Sequence, residues 1–189
     1  VRFVGIDPAT KTGVVILDEN ANVLLQVELQ GKGAKVKGGI SIEALVDLEN
    51  QLYELLEPGD EVLIEQPAMG TQKGVTTGMI HGGIRTVVHR KGLSFNEINP
   101  MHTKRYVDVT GWIQDGTKKR RLTSTEKKKE VARMVKQHFG YSHKSDNVTD
   151  AYIIARACLN MANMRDWKPL PDSTVNQREV TEAILTKAN

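Results

Sequence analysis

The chain has 189 residues, 39% hydrophobic and 26% charged, which is the balance of one globular domain and excludes a disordered chain. A single cysteine, Cys158, excludes an internal disulfide and a C-x-x-C zinc site and fits a reducing cytoplasm. No apolar run is long enough to span a bilayer, and residues 1–7 read as a strand where a signal peptide would need a basic region and a long apolar one. The net charge of +3 is unevenly placed. Lys104 to Lys144 holds twelve Lys/Arg against four Asp/Glu, and the remainder holds fourteen against nineteen. Such a strip is either a surface facing nucleic acid or a set of solvated helix faces.

In chain order, residues 2–7 (RFVGID) form an apolar strand closed by Pro8, and Thr12–Asp18 and Val23–Leu29 follow across short links, as in an antiparallel meander. Gly31–Gly39 is a Gly/Lys loop. Apolar residues at Ile42, Leu45, Val46, Leu48, Leu52, Leu55 and Leu56 have helical periodicity, and Pro58-Gly59 stops that helix. Glu61–Glu65 (EVLIE) is a short buried strand of parallel type. A loop with Pro67 and Gly70 leads to a helix over 75–91, then a strand over Leu93–Ile98 and a short helix over 101–109. Residues 112–124 are polar, basic and aperiodic. Thr123-x-x-Glu126 is a capping box for a helix over 125–138, Gly140 ends it, and Ser145 caps a helix over 146–163. Pro169 and Pro171 mark a linker before a loose terminal helix over 175–187. The pattern predicts an α/β fold with a mixed sheet flanked by helices, a domain over 1–165 and a tail over 166–189.

Four acids stand out. Asp7 and Glu65 each close an apolar strand, and Asp146 and Asp150 open an apolar helix at i,i+4, on one face. Taken singly, each has an ordinary explanation: a turn residue, an exposed strand end, a helix-dipole partner. A helix start packed at the carboxyl edge of the sheet would bring all four together in one cleft, where four carboxylates repel unless cations neutralise them. Oxygen ligands without Cys or obligatory His point to Mg²⁺ or Mn²⁺, and a pair of such ions serves in-line phosphoryl displacement.

Three segments carry a resemblance to a known family: VGIDPATKTGVVIL at 4–17, VLIEQPAMG at 62–70 and SDNVTDAYIIARA at 145–157. They are similar to the acidic motifs of RuvC-type Holliday-junction resolvases in the RNase-H-like superfamily. TKRYVDVTG at 103–111 and TEKKKEV at 125–131 resemble that family's basic region. The resemblance implies an RNase-H-like five-stranded sheet in the order 3-2-1-4-5. It implies nicking of four-way DNA junctions by metal-dependent hydrolysis that leaves 5′-phosphate and 3′-hydroxyl ends. It also implies a two-fold homodimer, two Mg²⁺ or Mn²⁺ ions per site, no small-molecule cofactor, no membrane, and a place in the cytoplasm of a bacterial or phage-infected cell.

Carried over residue by residue, Asp7, Glu65 and Asp150 match the family's acids. Asp146 stands four positions before Asp150, where the family often has its acid three before and this chain has Asn147. Lys104, Arg105 and Lys127 fall in the basic segments and are expected on phosphates, as are Lys118, Lys119, Arg120 and Arg121 of the insertion. The family's wedge aromatic after the strand-four acid is missing, and Met69 is the one large apolar candidate in QPAMG. Trp112 has two readings, a base-stacking residue or a hinge packed on the core. Gly78-x-x-x-Gly82 with Gly83 admits a close backbone approach, either to the helix's own sheet or at a dimer interface. The insertion and the tail lie outside the resemblance and suggest a divergent, phage-like branch.

Other readings are a related nuclease acting on flaps, forks or RNA-containing substrates, a non-catalytic DNA-binding module, and an ATP-binding lobe of actin/sugar-kinase type. The last would need a second lobe, which this chain lacks.

Overall fold

The structure is a computed structural model and describes residues 1–68 and 74–187. Its sheet is built from β1 (Phe3–Asp7), β2 (Lys11–Leu17), β3 (Val23–Gln30), β4 (Glu61–Glu65) and β5 (Phe95–Ile98), in the order β3-β2-β1-β4-β5. β1–β2 and β2–β3 pair antiparallel, and β4 joins β1 and β5 in parallel. The expected mixed sheet and its strand order are both present.

Strand parity divides the core in two. Val4, Ile6, Val14, Ile16, Val62 and Ile64 point to one face. There they meet α1 (Ile42–Leu55) and α2 (Gly74–Arg90) through Leu48, Leu52, Ile80, Ile84, Val87 and Val88. Phe3, Val15, Leu17 and Leu63 point to the other face. That face is covered by the long helix following α3 (Pro100–Arg105) and α4 (Ser124–Phe139), namely α5 (Asp146–Arg165). Because side chains alternate along a strand, Asp7 shares the α5 face with Phe3, and Glu65 shares it with Leu63.

α5 lies against β1 and β2 with almost nothing between the backbones. A methyl group built on Gly5 would fall 2.8 Å from the Cα of Ala155 and closer still to the Ala151 carbonyl oxygen, and one on Gly13 would strike the backbone of Asn147. These two glycines set the depth at which the helix sits. A helix this close to the sheet must be small and apolar on that side, and Ala151, Ala155 and Cys158 are fully buried.

Residues 112–124, read as aperiodic, contain a β-hairpin, β6 (Trp112–Asp115) and β7 (Lys118–Arg121), joined by Gly116-Thr117. Gly116 has φ +60°, as the first position of a II′ hairpin turn requires. The alternation is hidden in the sequence because β7 is basic at every position. The segment expected to be a loose terminal helix is α6 (Val175–Lys187), and it is seated: Val180, Thr181 and Ile184 are buried. The linker before it is pinned by Asp172, whose carboxylate accepts from Tyr106 Oη at 2.8 Å and from Arg156 Nε at 3.0 Å. Asn160 Nδ2 donates to the Asp172 carbonyl at 2.9 Å and lies 3.1 Å from Thr181 Oγ1.

Candidate active site

Asp7 and Glu65 end neighbouring parallel strands whose register pairs Ile6 with Ile64, so the two acids emerge side by side. Each is only 9% exposed. Ser145 caps α5 by accepting from the Val148 amide, which aims the first turn of the helix at the same strand ends. Asp150 stands one turn into it.

Three of these acids lie close enough to act on one another's charge. The Asp7 carboxyl is held well above its ordinary range by burial, then by the charges of Glu65 and Asp150, with Lys104 pulling the other way. Glu65 is also raised, by burial first and by Asp150, against the lowering effect of Lys104 and of the hydroxyl of Thr103. Lys104 Nζ lies 2.9 Å from Asp150 Oδ2 and 3.7 Å from Glu65 Oε1. Burial opposes its charge, but Asp150, Glu65 and Asp7 outweigh burial and its pKa is raised.

Thr103 and Lys104, which both stand against Glu65, come from α3. Asn99 caps that helix by accepting from the Met101 amide, with Pro100 in its first turn, and the turn that follows brings Thr103 Oγ1 to 2.7 Å from Glu65 Oε1. Thr103 is fully buried. The sequence reading did not single it out. The Asn-Pro helix start three residues upstream was the available signal.

The remaining candidates are placed as follows. Asp146 is on the rim, its side chain 51% exposed and 2.9 Å from Lys128 Nζ. It lines a cleft with Lys104, Lys127, Lys128, Thr149 and Asp150. Asn147 turns away to Glu28, 3.4 Å from its carboxylate. Glu28 also takes the Ser145 hydroxyl and lies 3.6 Å from Lys11 Nζ. Lys104, expected on phosphates, stands among the acids. Arg105 is turned to α6, with Nε 3.0 Å from Asn176 Oδ1 and an ion pair to Glu179. Lys127 stands against Gly111 at the foot of the hairpin. Lys118 pairs across the hairpin with Asp115, Lys119 and Arg121 flank Trp112, and Arg120 bonds Glu126. Met69 lies outside the described residues. Gly83 stands against the Glu49 side chain of α1, whereas a methyl group on Gly78 or Gly82 would meet no described atom within 4 Å.

The donor set can be tested for a divalent ion on this geometry. It consists of hard carboxylate oxygens on two buried strand ends and a helix start, the ligand chemistry that a Mg²⁺- or Mn²⁺-type ion takes. Among the described residues, no three such ligands close around a common point, and the ammonium of Lys104 stands against two of them. The chemistry fits, with Lys104 supplying one cation's worth of charge.

No protein-family model and no curated protein matches the chain by sequence. Solved structures do match by shape. RuvC of T. thermophilus in complex with Holliday junction substrate superposes with a TM-score of 0.62, over 88% of this chain and 96% of that one, at 17% identity. The chain has the RuvC fold. A second Thermus thermophilus RuvC structure agrees, with a TM-score of 0.61 over 89% of this chain and 98% of that one, also at 17% identity. At that identity the likeness to RuvC is one of fold. It includes the strand order on which Asp7 and Glu65 stand. Among the described residues, no helix is long and apolar enough to cross a membrane.

Proposed function

We propose that this protein is a structure-selective endonuclease that resolves four-way DNA junctions by paired symmetric nicks, acting as a two-fold homodimer with two Mg²⁺ or Mn²⁺ ions per site. The observation that carries this reading is the gathering of Asp7, Glu65 and Asp150 at the carboxyl edge of a RuvC-fold sheet, beside a cleft lined by Lys104, Lys127 and Lys128. Junction DNA as the substrate rests on the RuvC complex with a Holliday junction that this chain resembles in shape.

Asp7, Glu65 and Asp150 would hold the ions, with Asp146 reaching in from the rim. When bound, such a pair supplies a reactive water and stabilises the leaving oxygen of an in-line displacement. The protein's own groups do the positioning. Thr103 fixes one oxygen of Glu65 by donating its hydroxyl. Gly5 and Gly13 fix the depth of α5 and thereby the separation of Asp150 from Asp7. Lys127 and Lys128 line the side from which a phosphate would enter. Gly78 and Gly82, which face open space among the described residues, support a second copy against α2.

The test is cleavage of a labelled synthetic four-way junction, with a linear duplex, a flap and an RNA–DNA hybrid alongside, with and without Mg²⁺ or Mn²⁺. Paired nicks on the junction alone, dependent on metal, are expected. Hydrolysis of the flap or hybrid alone would replace the substrate, and inactivity on every substrate would overturn the enzyme reading. Junction affinity should fall steeply with salt, because each phosphate contact contributes about −0.9 to the slope of log K against log salt. A flat response would remove the basic strip as the DNA surface.

A further inference from the structure

The β6–β7 hairpin has two unlike faces. Cross-strand partners share a face, so Trp112 stands with Arg121, and Gln114 with Lys119, on one side. Ile113 with Arg120, and Asp115 with Lys118, take the other. The second side is held through Arg120, while its Ile113 is 43% exposed. Arg120 forms a fork on Glu126 at 2.8 and 3.0 Å and reaches Asp115 at 3.1 Å, and Glu126 in turn closes the capping box of α4. The base of the hairpin is closed by the Leu122 amide on the Gly111 carbonyl at 2.9 Å.

The first side is open. Trp112 is 44% exposed, with the Arg121 guanidinium 5.2 Å and the Lys119 ammonium 5.9 Å from its ring centroid. A large aromatic left in solvent between two cations, on a hairpin anchored by its opposite face, is a poor core residue. Packing as a hinge would have buried it. Four basic residues against one acid give the hairpin a charge that selects a polyanion over a protein partner. The hairpin also stands at the mouth of the site: Gly111, its root, lines one groove with Lys104 and Lys127, and Lys104 touches Asp150.

Resting on the nuclease reading, we propose that Trp112 is a stacking platform for a base left unpaired or unstacked at the branch point, with Lys119 and Arg121 holding the phosphates on either side, and that Arg120 is a strut with no contact to DNA. Aromatic stacking suits such a base because every base has a π-face, and cations beside the ring follow the backbone. The ligand is therefore DNA with an accessible base, and fully paired duplex should not engage Trp112.

The test uses the full chain carrying Asp7→Asn, to prevent cutting, and Trp167→Phe, so that Trp112 is the sole tryptophan. Junction binding is followed by anisotropy of the labelled DNA, and Trp112 emission is read in the same titration. Saturable quenching by a four-way junction, and little by a linear duplex bound at low salt, is expected. Trp112→Leu should weaken junction binding about tenfold and Trp112→Phe should restore most of it, because stacking is worth about 5- to 150-fold per base. Lys119→Gln with Arg121→Gln should flatten the salt slope by about 1.8. Saturated junction binding with unchanged Trp112 emission, or equal affinity in Trp112→Leu, would overturn the platform and leave the nuclease reading intact. Failure to bind any junction would overturn both.

Discussion

Replacing Gly5 by alanine drives a methyl group into the backbone of α5. The new carbon would lie 2.8 Å from the Ala155 Cα, where ordinary contact begins at 3.4 Å, so the helix must withdraw by at least about 0.6 Å, and by more to clear the Ala151 carbonyl. The obstacle is backbone on both sides, so neither partner can swing aside as a side chain would. Overpacking of this kind costs about 1–3 kcal/mol. The upper end applies here and corresponds to a fall of about 6–12 °C in Tm for a chain of this size. The same withdrawal carries Asp150 away from Asp7 and Glu65, and misplacement by about 1 Å costs about a hundredfold in rate. Thermal unfolding followed by circular dichroism, with single-turnover junction cleavage measured well below the variant's Tm, reads both effects. A Tm within about 2 °C of wild type together with full cleavage would refute the claim that Gly5 sets the depth of the helix.

Asp7→Asn should abolish cutting while leaving junction affinity unchanged. Mg²⁺ or Mn²⁺ should raise the Tm of the wild type through ligand linkage and raise that of the variant less or not at all, and full activity would remove Asp7 from the site. His81, 5% exposed and with no partner on Nδ1 among the described residues, is lowered to about 4 by burial and by Arg85. The unfolded chain therefore takes up its proton first, so stability is complete above about pH 6.5 and declines as pH falls toward 4, by at most about 3 kcal/mol. In His81→Leu the dependence of Tm on pH over that window should be flatter, and an unchanged slope would assign it elsewhere. Asp172→Ala leaves the Arg156 guanidinium and the Tyr106 hydroxyl without their acceptor in the interior. It should cost about 3–5 kcal/mol in urea unfolding, and a loss under 1 kcal/mol would contradict the buried network.

The sheet was legible because its central strands β1, β2 and β4 are apolar on both faces and β1 and β4 end at Asp7 and Glu65. Strand parity alone then puts both acids on the α5 side. Asp150 was legible through its place at the start of an apolar helix. Three features were not. Thr103 looks like any polar helix residue until α3 turns it onto Glu65, a contact spanning 38 positions in sequence. Lys104 was read as a surface cation because nothing local reports that three acids surround it. The hairpin escaped because its strands carry few apolar residues, and it is held by Arg120 and Glu126 where a buried face would otherwise hold it. α6 read as loose because it follows a linker with two prolines, whereas Val180 and Ile184 are buried in the core and the polar groups around Asp172 pin that linker.

That anchorage ties the completion of the site to the order in which the chain is made. α3 presents Thr103 and Lys104 to the acids, and Tyr106, at its end, is bonded to Asp172, sixty-six residues later. A growing polypeptide therefore exposes all four acids and the whole basic strip before the residue that braces α3 has been synthesised. Until residues 166–187 emerge, the Arg156 and Tyr106 side chains lack their acceptor and α3 lacks its support against α6. A nascent chain halted short of Asp172 would have the cleft's acids and not the brace that holds α3 beside them.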